Sequence, residues 1–583
     1  MSFGMRLSAL ALGAVGLGPV GPLAGTAHAA ELLGTGPMAG ATVQFNEDFE
    51  LRYYESTREL PGFEDRRIHD YIEQVNRLNG LLNQRTRRGG MISAGFQLDQ
   101  VALFSNRYIL DGTILRSWDL LSDSVDSPFT DGMIELEKLF VSTRSRQVEL
   151  TLGDGYASFG RGIALNMKKN TDIDLDTSIR GARAMARIGR SDITAVSGIT
   201  NAQQISQDQP NLGISRDVSN MVTGLRFEQH EVGPLTLGAH GVAWRFGRSE
   251  DADLDRWSRY GEDIDALVGG VSAEGFGLAG LDVYAEADLF RYLSPQFYGE
   301  REDVEFQART GHVAYVSASA YPGLAVVQVE AKHSRDSERI NAFVTASGWE
   351  VATVPSMEYE RVITEDSAAA LNSDSVYGGR VRVDYSAVGG TVVPYLSAMS
   401  LRDTGEGGLH FNRSPETIVH PVGGIQVTAS KVTGLLNAGV RVDVRDDAAE
   451  GQDRLLHLDG DISVPLGGHD HLDLALAAKH FSWGENVQDQ ADFTEMENAL
   501  AWHRGEKLVF VLYQDFGNNP LAQSTGNISD KLYGAVEATW KPSSELALRA
   551  FYGAYKAGIR CSGGQCRSLP GFQGARVALT GSF

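Results

Sequence analysis

Long apolar runs, proline, cysteine and positive charge are all scarce in this chain, and each scarcity removes a class of protein. Beyond residue 29 no window reads as a membrane helix. The most apolar one, 266–287, contains Glu274, Asp282 and Glu286, and such charges are costly on a lipid-facing helix. Proline contributes 17 of 583 residues, against 66 glycines. A soluble loop-rich protein tends to have both, whereas continuous strand ladders reject proline and accept glycine where space is tight. Basic residues number 52 and acidic residues 75, a formal charge of −23. That balance removes nucleic acid as a partner, because phosphate binding depends on basic neutralisation. It fits an acidic lumen or acidic outer loops that favour cations, and equally an exported protein kept soluble by its charge.

The chemical motifs are missing too. There is no GxSxG elbow, no HExxH and no phosphate-binding GxxxxGK[ST] or GxGxxG. No catalytic role, cofactor or metal is therefore expected. Outer-membrane phospholipases carry a Ser–His pair on the lipid side of a barrel, and here Ser482 lies close to His480, with His503 near another probable strand. Such proximity arises readily in a chain this long. The same holds for His457, Asp459, Asp461, His469, Asp470, His471 and Asp473 as calcium or zinc donors, since alternating lumen positions generate that set by periodicity alone.

What is present begins with an export signal over residues 1–29. Arg6 supplies the positive start, Leu7 to Leu23 the apolar core, and Ala27-His28-Ala29 the small-x-small cleavage pattern. The alternative is an uncleaved anchor. The mature chain, 30–583, then shows period-2 alternation in segment after segment. In 455–466, Leu456, Leu458, Gly460, Ile462, Val464 and Leu466 share one face, opposed by His457, Asp459, Asp461 and Ser463. Leu281, Val283, Ala285, Ala287 and Leu289 oppose Asp282, Tyr284, Glu286 and Asp288. Met221, Thr223, Leu225 and Phe227 oppose Arg226, Glu228 and His230, and similar patterns cover 379–385 and 435–445. Segments of roughly ten residues suit a tilted membrane crossing, whereas globular strands are nearer five or six. Long and very short connections alternate, and the polar face is charged at successive positions, which suits a wet lumen.

The predicted fold is therefore all-β: a single large antiparallel transmembrane barrel of 24–26 strands (range 22–26), with the lumen partly occluded by inward loops. A barrel this wide must hold water, loops or a plug. Residues 66–82 fit either a helix or a strand, and the continuation through Gly90 to Leu98 favours strand. The 105–200 region is the expected inward or constriction region. Within it, the glycine-rich run Gly153–Gly162 (GDGYASFGRG) is read as an inward bend or a lumen constriction. Its polar members are Asp154, Tyr156, Ser158 and Arg161, and the charged residues Asp172, Asp174, Asp176 and Arg180 follow. Cys561 and Cys566, in CSGGQC, are the two cysteines. In an oxidising compartment they read as a disulfide staple across the last hairpin loop.

GDGYASFGRG, CSGGQC and the terminal Phe583 together resemble a family of large Gram-negative outer-membrane β-barrel proteins without established function. The resemblance implies a barrel and carries over no substrate and no catalytic residue. The last strand, ending on Phe583, also resembles the segment by which the barrel-assembly machinery recognises its clients. Localisation in the cell outer membrane follows, with lipid and that machinery as partners. The leading functional expectation is a channel for a small hydrophilic solute. The alternative is an anchor, or an assembly or escort protein for an exported partner.

Overall fold

The computed structural model describes residues 41–54, 71–86, 89–104, 131–170, 175–202, 220–246, 264–292, 309–335, 376–403, 416–429, 431–445, 452–482, 492–518, 532–555 and 572–583, together with the backbone of short strands between them. The expected export signal, residues 1–29, lies outside the described residues.

Twenty-four antiparallel strands form the wall, each paired with its neighbours in chain order. The first, Ala41–Tyr54, pairs with the last, Phe572–Ser582, so the sheet closes on itself. Phe45 and Phe583 exchange both of their backbone hydrogen bonds, at 2.6 and 2.7 Å, within that seam. Twenty-four lies inside the range set by the alternation. The ambiguous 66–82 segment is strand, divided between Phe63–His69 and Tyr71–Arg85.

Connections of two to six residues at one end alternate with connections of ten or more at the other, 446–451 excepted, the asymmetry of outer-membrane barrels. Alternation determines which way each side chain points. Leu225, Leu289 and Leu396 are 56%, 70% and 71% exposed on the outside, while Asp288, next to Leu289, and the inward-facing Glu286 and His457 are buried. An exposed apolar surface running round the whole wall would drive aggregation in water and is stable in lipid. Phe276, Tyr321, Tyr385, Phe510 and Trp540 are exposed near the short-turn end, where an interfacial aromatic belt belongs. The protein is thus an outer-membrane barrel.

Proline is not wholly kept from the wall. Pro421 sits within Glu416–Ala429, and the ladder to Val432–Arg445 skips His420 and Pro421, as expected where a residue without an N–H interrupts a strand.

Replacing Leu225, at the middle of the outward face of Met221–Val232, by arginine should cost about 2–4 kcal/mol. Reversible denaturant unfolding in lipid vesicles measures it. A cost near zero would place Leu225 outside the hydrocarbon.

Candidate functional site: the segment inside the lumen

Of the 105–200 stretch, residues 131–155 and 175–200 belong to the wall, whereas 156–170 turns into the lumen. There Ala157–Phe159 and Leu165–Met167 form a small hairpin. Its apolar side chains are buried: Phe159, Ala164 and Leu165 are fully enclosed, and Ile163 and Met167 nearly so. They pack with Val196, Val222, Val242 and Trp244 in one apolar cluster that reaches Met399 and Ile418. The hydrophobic effect, not hydration, holds this part of the lumen.

Polar contacts secure both ends of the segment. Where it leaves the wall, the Asp154 carboxylate accepts hydrogen bonds from the Leu139 amide at 2.7 Å, Asn201 Nδ2 at 2.8 Å, the Ser178 hydroxyl at 3.2 Å and Arg180 Nε at 3.2 Å. Arg180 Nη2 also donates to the Leu136 and Glu137 carbonyls. Asp176 accepts from Lys138 Nζ at 2.7 Å and from the Tyr156 phenol at 2.8 Å. Burial, reinforced by the Asp176 carboxylate, pushes the Tyr156 phenol pKa up, so Tyr156 remains a donor.

The tip of the segment is secured on a distant strand. The Arg161 amide donates to Glu286 Oε2 at 2.7 Å, and the Arg161 guanidinium lies 4.5 Å from the Tyr284 ring centre. Gly160 adopts φ +57°, and a Cβ there would overlap the Glu286 carboxylate, so this contact requires glycine on two grounds.

The structure thus gathers Asp154, Tyr156, Asp176 and Arg180 at the base and sets Arg161 at the tip. Ser158 is exposed on the free face of the hairpin. Asp172 and Asp174 lie outside the described residues. Sequence reasoning missed Lys138, Ser178 and Asn201, which give no local signal because they come from three separate strands. Glu286 and Asp288 were visible only as inward members of an alternating strand.

His480 and Ser482 do face outward. The Ser482 hydroxyl is 3.4 Å from His480 Nε2, and His480 Nδ1 meets the Thr494 hydroxyl at 2.9 Å. The imidazole is thus backed by a hydroxyl, where a catalytic triad has a carboxylate. His503 is elsewhere, on the lumen side. The run of metal-type donors does not converge on one point either. His457 contacts His420 and Asp459, while His471 and Asp473 meet His503. A second group of fitting donors, His240, Glu286 and Asp288, lies under the tip of the inner segment.

Strands Gly558–Ser562 and Gln565–Leu569 pair so that Cys561 is directly opposite Cys566. No disulfide is found among the described side chains, and those of the two cysteines lie outside them.

No protein-family profile matches the chain, and no curated protein matches it. Solved structures do. The translocation pore of the P pilus usher PapC is similar at 10% identity over 93% of this chain and 99% of that one, with a TM-score of 0.39. The ferric enterobactin receptor PfeA of Pseudomonas aeruginosa, in complex with BCV-L6, is 9% identical over 94% and 82%, with a TM-score of 0.46. The copper transporter OprC is 10% identical over 93% and 80%, with a TM-score of 0.43. No residue role is carried over from any of them.

Two outcomes are expected. Asp154→Ala removes the acceptor shared by the Leu139 amide, the Ser178 hydroxyl, Arg180 and Asn201, of which Asn201 keeps its bond to the Glu137 carbonyl, at a cost on the order of 3 kcal/mol. Hydrogen exchange should then quicken across 156–170, and unchanged protection there would show that the base does not hold the segment. For the cysteines, trypsin cuts after Arg560 and Arg567. A disulfide would leave the peptide 561–567 two hydrogens lighter and closed to alkylation until reduced.

Proposed function

We propose that the protein is a gated outer-membrane barrel that accommodates an exported macromolecular partner, with residues 156–170 as the element that closes it. The observation that carries this reading is the apolar inner segment docked on the inner face of a 24-strand wall. A passive pore for small solutes needs a permanently wet constriction, and 16–18 strands already enclose an aqueous channel. Here the interior is wider and is held partly shut by Phe159, Leu165 and Met167. Such packing is stable at rest and is undone by a partner able to displace the hairpin. Asp154, Tyr156, Asp176 and Arg180 at the base and Arg161 at the tip would serve as its fastenings, and Ser158 as part of its exposed face. Assembly through the C-terminal strand by the barrel-assembly machinery completes this reading.

The second reading, a channel for a small hydrophilic solute, is favoured by the charged inward faces, for example Arg77–Asp99 and Lys479–Glu495. Planar bilayers separate the two. The partner-handling reading expects a nearly silent wild type and large steady conductance once 157–167 is replaced by a short Gly-Ser bridge. Discrete, solute-selective conductance from the wild type would overturn it. So would a bridged variant as silent as its parent.

A further inference from the structure

We propose that His240, Glu286 and Asp288 bind a divalent transition-metal ion, and that this ion fastens the tip of the inner segment to the wall. The three residues face inward from the strands Leu235–Phe246 and Leu281–Tyr292. One donor atom from each lies within 4.8 Å of the others. All three residues are buried, and the His240 and Asp288 side chains have no exposed surface at all.

Backbone register builds the cradle. His240 and Asp288 are both opposite Gly270, on the strand between them. A Cβ at Gly270 would strike Asp288 Oδ1 and His240 Nε2, so glycine there lets the two side chains meet at 2.6 Å. Glu286 adds a second carboxylate on the same strand as Asp288. Its Oε2 is occupied by the Tyr284 hydroxyl at 2.5 Å and the Arg161 amide at 2.7 Å.

What remains is unbalanced. Among the described residues, His240 Nδ1, Glu286 Oε1 and Asp288 Oδ2 are buried without a hydrogen-bond partner. Of the neighbouring cations, Arg161 covers Tyr284, and Arg226, opposite His240, donates through Nη2 to Glu228 at 2.8 Å while its Nε is buried without a partner among the described residues. Two buried carboxylates beside one imidazole call for a positive charge. One imidazole and two carboxylates form the mixed nitrogen and oxygen donor set that suits zinc or manganese. Binding would orient Glu286, whose other oxygen holds the Arg161 amide, so the ion and the docked segment would stabilise each other. The ion site stands on these donors alone; its role in closing the lumen rests on the gated reading above.

The test uses the full-length barrel in detergent, stripped with chelator, reloaded with Zn²⁺ and washed, with metal per folded chain measured by mass spectrometry. Heat-dependent gel mobility confirms folding. The half-exposed group His471, Asp473 and His503 offers similar donors, so His503→Ala serves as the control. The expected result is a retained ion in the wild type and in His503→Ala, and at least about tenfold weaker retention in His240→Gln and Asp288→Asn. If either of these two fails to fold, the other carries the comparison. No retained zinc, or zinc lost only in His503→Ala, would overturn the site. Conductance of loaded and stripped protein is then compared. An ion that binds as expected without altering conductance would remove the gating role and leave the site standing.

Discussion

The whole structure depends on one constraint. Hydrocarbon offers a peptide group no hydrogen-bond partner, so a chain that crosses it in strands must pair every strand on both sides. The seam between Ala41–Tyr54 and Phe572–Ser582 meets this condition, with Phe583 contributing to the final bonds. Closure then fixes the direction of every side chain. Residues such as Leu225 and Leu396 meet lipid, and Asp99, Glu286 and His457 meet the interior.

A wall of 24 strands creates a further problem, because its own side chains cannot fill the space it encloses. Residues 156–170 supply part of the filling. The segment is joined to the wall by two kinds of interaction. Apolar contact with Val196, Val222 and Trp244 supplies bulk stabilisation without direction. The Asp154 and Asp176 networks and the Arg161–Glu286 contact supply position, because buried carboxylates tolerate few geometries. Fastenings are concentrated at base and tip, with apolar packing between them.

The glycines in this region have a shared purpose. Gly160 and Gly270 clear space around the carboxylates of Glu286 and Asp288. The first admits the incoming segment and the second admits an imidazole from two strands away. Substituting either would fill the space in which charged groups meet, so the polarity of the interior depends on side chains that are absent as much as on those present.

Much of the fold was legible in the amino-acid order. Period-2 alternation in 221–230, 281–290 and 455–466 fixed strand identity and facing, because in a membrane wall the two faces meet opposite solvents and each strand reports its own orientation. GDGYASFGRG stood out in the sequence only as a glycine-rich run, and its first three residues complete a wall strand. The partners of that segment were not legible. Lys138, Asn201, His240 and Glu286 come from strands far apart in sequence, and only closure of the cylinder and its register bring them within hydrogen-bonding distance. The sequence by itself determined that a barrel forms and which residues face lipid, since those are local properties of each strand. The tertiary structure alone decided the strand count of 24, the burial of 156–170 and the meeting of His240 with Asp288 over Gly270, since each depends on side chains brought together across strands.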